Sequence, residues 1–202
     1  PALGLVPPGI EGWTEAVAPA WVHGNQAAAH ARSELPSLNQ LPTVEYLYNS
    51  SELNRDVAEV LQQQWKQNLG LTVRLANQEW KTFLSNQKGL EYQISRSSWV
   101  GDYLAPETFL DIFQSQNGNN RTGWQSQAFD QLLQLARDAT DSQMRLDLLT
   151  QAEDLLLQEH IILPLYHDES LELISPRLKG MHQNLRGWID WSALHFSEAS
   201  HD

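Results

Sequence analysis

Cysteine is absent from this chain of 202 residues. Its absence excludes disulfide bonds, thiolate metal sites and a cysteine nucleophile, and it leaves the redox compartment of the protein undetermined. No apolar run approaches the roughly 20 residues that a membrane-spanning helix needs, so we expect no direct insertion into a membrane. The first residues also lack a basic segment followed by an apolar one, so no signal peptide is visible in this sequence.

Basic residues are scarce: 13 lysines and arginines stand against 25 aspartates and glutamates, and the formal net charge is −12. This charge repels phosphate backbones and anionic lipids, so we expect no nucleic acid as a partner. Apolar residues nevertheless make up 41% of the chain, with eight tryptophans among them. A chain of this length and composition is long enough to bury a proper core, which predicts an acidic globular domain.

Motifs of catalytic and metal sites are missing as well. The seven histidines form no HExxH or HxxxH pattern and have no cysteine partners, so we expect no metal. The sequence contains neither a GxSxG elbow nor a P-loop, and no GxGxxG follows a predicted strand, so we expect no cofactor. The carboxylates show no spacing that singles out an acid and base pair. We therefore predict a protein without catalytic residues.

Strands and helices alternate between residues 43 and 99. The β-rich stretch 43–48 predicts a first strand, and a strand at 71–75, a short helix at 79–86 and a third strand at 92–99 follow later. The short helix presents Trp80 and Leu84, four residues apart, on one face. A long amphipathic helix that ends near Gly70 is predicted from apolar residues at helical spacing, namely Leu53, Val57, Val60, Leu61 and Trp65.

Helices dominate the remainder of the predicted pattern. A helix at 106–113 precedes a polar surface loop at 114–123, and Asn25 caps a further helix that reaches about residue 34. One later helix buries Phe129, Leu132, Leu133 and Ala136. The next opens with a capping box at 140–143 and carries Met144, Leu148, Ala152, Leu155 and Leu156. Two strands complete the pattern: a buried one at 161–166 and a last full one at 169–174.

This alternation predicts an α/β fold: a three-layer lobe with a mixed, mainly parallel sheet flanked by helices. We divide the chain into an irregular entry segment at 1–24, the α/β lobe at 25–196 and a disordered tail at 197–202. In such sheets ligands bind beyond the strand ends. The loop 99–103, where Val100, Gly101 and Asp102 interrupt the third strand, is therefore predicted to lie at the mouth of a site.

Five stretches of the sequence resemble one family in their order and spacing. They are residues 96–109 (RSSWVGDYLAPETF), 77–84 (NQEWKTFL), 47–51 (LYNSS), 128–130 (AFD) and 162–166 (ILPLY). From about residue 5 to residue 196, the chain is similar to the periplasmic oligopeptide-binding proteins of ABC importers, the large extracellular solute-binding class. Those proteins are much longer than this chain, and the similarity covers only their C-terminal lobe.

The resemblance implies a type II periplasmic-binding-protein fold and a role in peptide transport. Such a protein captures short extended peptides between two lobes and delivers them to an inner-membrane ABC permease. The implied partners are short peptides, that permease and the missing N-terminal lobe of the same protein. The resemblance also implies a periplasmic location, with the signal sequence on a preceding segment.

Asp102 is the sharpest candidate for a binding residue. A carboxylate pairs with the ammonium group of a peptide through a charge-assisted hydrogen bond, which is roughly twice as strong as a neutral one. The resemblance implies this role, because the matching aspartate in the family holds the N-terminal amine of the peptide. The alternative is a loop aspartate that caps the following helix or stabilises its own turn.

Neighbouring residues are candidates for contacts with the rest of a peptide. The resemblance implies that the backbone at Ser98 and Val100 pairs with the peptide as an added strand, and ordinary sheet pairing is the alternative. Apolar and aromatic side chains are expected to line the side-chain pockets, although a tryptophan is more often a core residue. These lining candidates are Trp80, Leu84, Trp99 and Tyr103.

Arg96 matches a family position whose guanidinium receives the C-terminal carboxylate of shorter peptides, for which its bidentate fork is suited. The alternative is a surface salt bridge with Glu91 or Asp102. A second family arginine is replaced here by Gln87, next to Lys88, which leaves the preferred peptide length open. Two further positions align with ligand-side residues of the family, namely Asn120 and Tyr166.

Two other functions remain open at this stage. The same fold occurs as the solute-sensing domain of transcription regulators, and a helix-turn-helix on the missing part would indicate such a sensor. The solute is also open, since relatives of this class bind murein peptide, nickel or haem. A hydrolase is disfavoured because no nucleophile and base pattern occurs.

Overall fold

The computed structural model describes residues 2–14, 43–169, 171–182 and 187–197. The chain divides into two compact units. The sheet unit comprises Val17–Trp99 and Ser115–Gln125, and the helical unit comprises Pro1–Ala16, Val100–Gln114 and Ser126–Asp202. The predicted helix that Asn25 caps and nearly all of the predicted tail lie outside the described residues. The proposed boundaries of the lobe therefore stay predictions.

A three-stranded parallel sheet forms the centre of the sheet unit. Its strands are β1 (Val44–Asn49), β2 (Val73–Gln78) and β3 (Ile94–Ser95), in the order β2-β1-β3. In the register of the sheet, Tyr46 lies opposite Leu75 on one side and Ile94 on the other. Because all three strands run in the same direction, their carboxyl ends meet at one edge of the sheet, where ligands bind in α/β folds.

Two helices connect these strands, namely α1 (Glu52–Leu69) and α2 (Trp80–Lys88). α1 begins at Ser51, whose hydroxyl accepts a hydrogen bond from the backbone N–H of Asn54 at 3.1 Å. It ends at Gly70, where φ is 72°, in the left-handed region that glycine adopts without a steric cost. The sequence prediction of this helix and of its glycine terminus is confirmed.

The core of the sheet unit lies on both faces of β1. Tyr46 and Tyr48 point to one face, where they pack with Ala58 of α1 and Val73 of β2. Leu47 points to the opposite face and is also fully buried. A strand that is covered on both faces is typical of parallel sheets flanked by helices. The predicted α/β fold class is confirmed.

Some predicted details of the sheet unit were wrong. Leu53 and Val60 are exposed, because α1 turns Asn54 and Ala58, four residues apart, towards the core. β2 begins at Val73 rather than at Leu71, since the Leu71 N–H donates to the carbonyl of Trp65 at 3.2 Å and so completes the end of α1.

The third strand is shorter than predicted. β3 covers only Ile94–Ser95, and the ladder continues with one hydrogen bond from the Arg96 N–H to the carbonyl of Leu47 at 2.8 Å. Alternation at 92–99 is compatible with a strand, but a strand also needs a paired neighbour. Ser98 and Trp99 lie beyond the end of the strand as a result.

Apolar side chains of two long helices form the core of the helical unit. Helix α3 (Glu107–Leu110) and a 3-10 turn (Asp111–Phe113) precede the long helices α4 (Gln127–Asp138) and α5 (Ser142–Gln158). A two-stranded antiparallel ribbon follows, formed by β4 (Leu178–Lys179) and β5 (His195–Phe196). The buried apolar residues on the two long helices are Phe129, Leu133, Ala136, Leu149, Ala152 and Leu156.

The predicted start of α5 is confirmed, but its cap differs from the prediction. Asp141 rather than Thr140 caps the helix, and its carboxylate accepts the Met144 N–H at 2.7 Å. Of the predicted apolar residues, Ala152 and Leu156 are buried, whereas Leu148 and Leu155 are only half-buried and Met144 is exposed. Leu149, which was not predicted, completes the buried stripe. The sequence could not distinguish these adjacent stripes, because apolar residues occupy both.

The two strands predicted after α5 were wrong within the described residues. The stretch 161–166 is an irregular, half-buried run, and Leu163 is exposed. A backbone hydrogen bond from the Ala2 N–H to the carbonyl of Leu165, at 3.0 Å, ties this run to the entry segment without forming a ladder. The stretch 171–174 also forms no strand, and its Leu171 and Leu173 side chains are exposed. An apolar run predicts a strand only where a sheet edge is available to pair with it.

Candidate functional site

The carboxyl edge of the parallel sheet carries a row of polar groups. The Ser50 hydroxyl donates to Asn77 Oδ1 at 2.8 Å, and the Ser50 N–H donates to the carbonyl of Gln78 at 2.9 Å. Asn49 ends β1, and both its carbonyl and its Oδ1 accept hydrogen bonds from Asn54 Nδ2, at 3.2 and 3.0 Å. These contacts fix the backbone at the edge where a ligand is expected.

Arg96 follows β3 at this edge and is half-buried. Its Nη1 lies 3.5 Å from Asn49 Oδ1, a long hydrogen bond. Among the described residues of the sheet unit, no carboxylate lies within ion-pair distance of Arg96, so the alternative of a salt bridge with Glu91 is wrong. The guanidinium therefore retains donors for an anionic group.

Gln87 has a structural role that the sequence did not reveal. Its side chain is buried, and Nε2 donates to Ser95 Oγ and to the carbonyl of Arg96, each at 2.8 Å. The amide thus holds the segment that leaves β3 and fixes the backbone of Arg96. Gln87, which replaces the second arginine of the family pattern, therefore helps to position the candidate residue Arg96.

Helix α2 presents an apolar pair to solvent. Trp80 is 50% exposed and Leu84 is 39% exposed, whereas Phe83 on the same helix is fully buried. The Trp80 ring stacks on Phe83 with centroids 5.8 Å apart, which fixes its orientation. The alternative that Trp80 is a core residue is wrong. Both side chains are therefore accessible to a ligand.

Trp99 is half-buried, and its indole Nε1 is fully buried without a hydrogen-bond partner among the described residues. A buried donor without an acceptor costs free energy, so such groups are uncommon in folded proteins. Ser98, the residue before it, is exposed. The backbone of this stretch lies outside the sheet and is not used in ordinary sheet pairing.

The loop after residue 99 belongs to the helical unit and is fixed through its backbone. The Asp102 N–H donates to Thr108 Oγ1 at 2.8 Å. Gly101 packs so closely on the next helix that an added Cβ would lie 2.8 Å from the Phe109 ring and 2.9 Å from Thr108 Cγ2. Glycine is required by this approach, and the loop conformation depends on it.

The side chains of this loop point to solvent. Val100 is 85% exposed, and Tyr103 and Asp102 are exposed as well. The Asp102 carboxylate accepts no hydrogen bond from any described residue, and α3 begins at Pro106 without a side-chain cap. The alternative that Asp102 caps this helix or stabilises its own turn is therefore wrong. Within the described part of the chain, the Asp102 carboxylate is therefore exposed and takes no hydrogen bond.

Tyr103 lies among carboxylates. Its pKa is raised, first because the phenol is partly removed from water and then because Asp111 and Glu107 carry negative charge nearby. The phenol therefore stays protonated at neutral pH and remains a hydrogen-bond donor. Its ring adds an exposed aromatic surface to the loop.

Asn120 is used to build its own loop in the sheet unit. Its Nδ2 donates to the carbonyl of Trp124 at 3.0 Å, and its Oδ1 accepts from the N–H and the hydroxyl of Thr122, at 3.0 and 2.7 Å. Tyr166 is an exposed residue of the helical unit. These contacts give Asn120 a structural function, and a ligand role stays a prediction for both residues.

An ion pair that the sequence did not indicate stabilises the helix after the Asp102 loop. Glu107 Oε1 accepts from Arg145 Nε at 2.6 Å and from Nη2 at 2.5 Å, and this joins α3 to α5. Glu107 Oε2 is buried without a partner among the described residues. No local sequence signal links these residues, because 38 positions separate them along the chain.

The predicted site residues are distributed over both units. Six belong to the sheet unit, namely Trp80, Leu84, Arg96, Ser98, Trp99 and Asn120. Four belong to the helical unit, namely Val100, Asp102, Tyr103 and Tyr166. In the part of the chain that the structure describes, no three metal-binding side chains come together. No helix in that part is both long and apolar enough to cross a bilayer.

Comparisons with known proteins agree with the resemblance found in the sequence. The model of the bacterial extracellular solute-binding proteins, family 5 Middle, matches residues 1–121. The dipeptide-binding protein DppE of Bacillus subtilis is 40% identical over 152 residues, which cover 75% of this chain and 28% of that protein. The periplasmic oligopeptide-binding protein OppA of Escherichia coli is 32% identical over 186 residues, which cover 89% of this chain and 34% of that protein.

A solved structure of a peptide-binding protein is also similar to this chain. The murein tripeptide-binding protein MppA of Escherichia coli matches with a TM-score of 0.79 at 31% identity, over 90% of this chain and 36% of that one. The structural match confirms the expected fold. The chain spans about a third of the length of the relatives that it matches.

Proposed function

This chain belongs to the bacterial extracellular solute-binding proteins of family 5, and from this membership we propose that it is one lobe of the substrate-binding component of a peptide ABC importer. The whole protein would close two lobes around a short extended peptide and present the closed form to the permease of an inner membrane. Binding of the peptide shifts the population from the open to the closed form. The relatives whose names include dipeptide, oligopeptide and murein tripeptide support peptide as the solute.

The observation that carries this proposal is the free carboxylate of Asp102. It is exposed, it takes no hydrogen bond from the described residues, and its backbone is fixed to Thr108. A peptide ammonium group supplies the donors that this carboxylate lacks. When a second lobe covers the site, water is removed and the charge-assisted hydrogen bond becomes stronger than in the open form.

The backbone on either side of Trp99 supplies the second set of contacts in this proposal. Ser98 and Val100 are exposed and lie outside the sheet, so their N–H and carbonyl groups are available to an added strand. Main-chain pairing binds peptides of varied sequence because it does not depend on their side chains. The side chains of the peptide would contact Trp80, Leu84, Trp99 and Tyr103.

Arg96 would receive the C-terminal carboxylate of a short peptide. Its guanidinium has a long contact to Asn49 and no ion-pair partner in the described sheet unit, so a carboxylate would gain two parallel hydrogen bonds. The buried amide of Gln87 keeps the Arg96 backbone in place.

The periplasmic location and the absence of catalysis are parts of the same proposal. Relatives such as the Escherichia coli oligopeptide-binding protein are named periplasmic. The family is one of solute-binding proteins, and a binding protein releases its ligand unchanged. A panel of generic esters and peptides incubated with the protein should show no turnover above blank.

The deciding experiment uses the full-length protein, unfolded and refolded to remove bound ligand. Di- to pentapeptides, including a murein peptide, are titrated while the tryptophan fluorescence is followed. We expect saturation at micromolar concentration or below, and a loss of at least about 100-fold in affinity with Asp102→Ala or with N-acetylated peptides. The matched control is Asp154→Ala, which removes an exposed carboxylate from α5.

Binding that survives both Asp102→Ala and N-acetylation would contradict the proposed role of the carboxylate. Failure of every peptide to bind would show that the solute is of another kind.

A further inference from the structure

Thr108, on α3, contacts the loop that carries Asp102. Its side chain is buried, with a relative exposure of 4%. Its Oγ1 accepts the Asp102 N–H at 2.8 Å. Its Cγ2 lies 2.9 Å from the position that a Cβ added to Gly101 would take. One side chain therefore contacts two consecutive residues of the loop through two different atoms.

The loop has few other contacts that could fix its backbone. Among the described residues, the bond from the Asp102 N–H to Thr108 is the only hydrogen bond that residues 100–104 make. The side chains at 102–104 are exposed, so packing does not hold them. The position of the Asp102 backbone therefore depends on Thr108 and on the close approach of Gly101 to α3.

α3 is a firm support for this contact. Pro106 and Leu110 are fully buried, and the ion pair between Glu107 and Arg145 joins the helix to α5. Thr108 is β-branched, so its side chain has few accessible rotamers, and its hydroxyl and methyl groups are fixed together. The position of α3 is thereby transmitted to the backbone of the loop.

The Asp102 carboxylate accepts no hydrogen bond from any described residue, so its position is set only through its own backbone. A charge-assisted N–H···O bond has a length of about 2.7–2.9 Å. Binding groups must be held within about 0.5 Å of their productive positions, which requires support from neighbouring residues. A displaced Asp102 backbone would therefore weaken the contact with an ammonium group.

We propose that Thr108 is a positioning residue that gives the site its preference for a free N-terminal amine. The residue does not touch the peptide. Its hydroxyl accepts the Asp102 N–H and so holds the carboxylate where the ammonium group arrives. This inference rests on the proposed function, since it assumes that Asp102 receives that group.

Two variants of the full-length protein separate the hydroxyl of Thr108 from its shape. Thr108→Val keeps the β-branched shape and removes the acceptor, whereas Thr108→Ser keeps the acceptor and removes the methyl group. The amine preference is the ratio of the Kd of an N-acetylated peptide to the Kd of the free peptide, each measured by tryptophan fluorescence. We expect Thr108→Val to lower this ratio about tenfold, the size of one hydrogen bond, and Thr108→Ser to keep it within about twofold of wild type.

The matched control is Thr150→Val. Thr150 is an exposed residue of α5, in the same unit, and its hydroxyl donates to the carbonyl of Leu146 at 3.0 Å. This variant should leave the amine preference unchanged. A role of Thr108 in packing alone predicts the reverse order, in which Ser lowers the ratio and Val keeps it, and that order would overturn the proposal.

The effect of Thr108 should disappear when the carboxylate is absent, because Thr108 acts through Asp102. In an Asp102→Ala background, Thr108→Val should change the Kd of the free peptide by less than about twofold. A full loss of affinity in that background would show that Thr108 acts on the peptide by another route, which would also overturn the proposal.

Hydrogen exchange tests the contact without a peptide. The Asp102 amide should exchange at least about tenfold faster in Thr108→Val than in wild type or Thr108→Ser, because its acceptor is lost. Equal exchange in Thr108→Val and wild type would overturn this inference and leave the proposed function unaffected.

The wild-type titration distinguishes the two failures. A wild-type protein without an amine preference would contradict the proposed role of Asp102, and the positioning role of Thr108 would fail with it. A wild-type preference that Thr108→Val retains would overturn the positioning role alone.

Discussion

Glu153 is a carboxyl group inside the core of the helical unit, with a relative exposure of 1%. Its Oε1 accepts the N–H groups of Leu5 and Val6 at 2.7 and 2.9 Å, and so attaches the entry segment to α5. Burial raises the pKa of this carboxyl, Asp154 raises it further, and the two backbone N–H groups and His167 lower it. The net effect is a raised pKa, so the folded state favours the protonated form.

The stability of the protein should therefore depend on pH through Glu153. A raised pKa in the folded state contributes stability that is complete below the unfolded pKa of 4.5 and is lost as the pH rises through the folded pKa. Glu153→Gln keeps the acceptor oxygen but removes this titration. We expect the Tm of the variant, relative to wild type, to increase between pH 4.5 and neutral pH.

The control for this pH dependence is Glu59→Gln, at an exposed position on α1. It should keep the wild-type profile when the Tm is measured across the same pH range. If the Tm of Glu153→Gln changed with pH in parallel with that of wild type, the buried carboxyl would have the same pKa in the folded and unfolded states.

Gly101 sets the conformation of the loop that carries Asp102. Because an added Cβ would lie 2.8 Å from the Phe109 ring, Gly101→Ala should destabilise the protein by about 1–3 kcal/mol. The matched control is Gly118→Ala, where no atom lies within 4 Å of the added Cβ. Urea denaturation measures both, and equal effects would show that the close approach is not what the loop depends on.

At the scale of elements, the short helix α3 depends on one long-range ion pair. The Glu107 side chain is 12% exposed and the Arg145 side chain is 33% exposed. Removing one partner leaves a largely buried carboxylate without its donors. Arg145→Met should therefore lower the free energy of unfolding by about 1–3 kcal/mol, and Glu107→Gln in the same chain should restore part of the loss.

Arg55→Met provides the control for this pair. Arg55 and Asp56 form an ion pair in which both side chains are more than half exposed, at 56% and 67%. Such surface pairs contribute little to stability, so denaturation of this variant should be close to that of wild type. If Arg145→Met were equally neutral, α3 would be positioned by apolar packing alone.

The elements also show where sequence patterns succeed and where they fail. α1, α2, α4 and α5 were predictable because their caps and apolar periods are local. The length of β3 and the absence of strands at 161–166 and 171–174 were not, because strand formation requires a partner elsewhere in the chain.

At the scale of the whole molecule, the proposed function makes this chain only one part of the surface that would enclose a peptide. It spans about a third of the length of its relatives, and the proposed contacts of Asp102, Val100 and Trp80 are all on exposed surface. An enclosed ligand loses water on all sides, whereas a ligand on an open lobe stays hydrated.

The isolated chain should therefore bind peptide weakly or not at all. We expect its dissociation constant to exceed that of the full-length protein by at least about 100-fold, because under the proposed function a second lobe supplies the other enclosing contacts. Isothermal titration of both proteins with the same peptide measures this difference. Micromolar or tighter binding by the isolated chain would contradict it, and circular dichroism would verify that the chain is folded.

The sequence by itself determined the family, the order of the main elements and the candidate loop around Asp102. Caps, apolar periods and motif spacing are local properties, so a linear chain displays them directly. Only the tertiary structure decided that the Asp102 carboxylate accepts no hydrogen bond from the described residues, that Gln87 holds Arg96 and that Glu107 pairs with Arg145. It also decided that Leu171 and Leu173 are exposed and that the stretch 171–174 forms no strand. These outcomes depend on which distant residues approach one another, and the chain does not encode that choice at any one position.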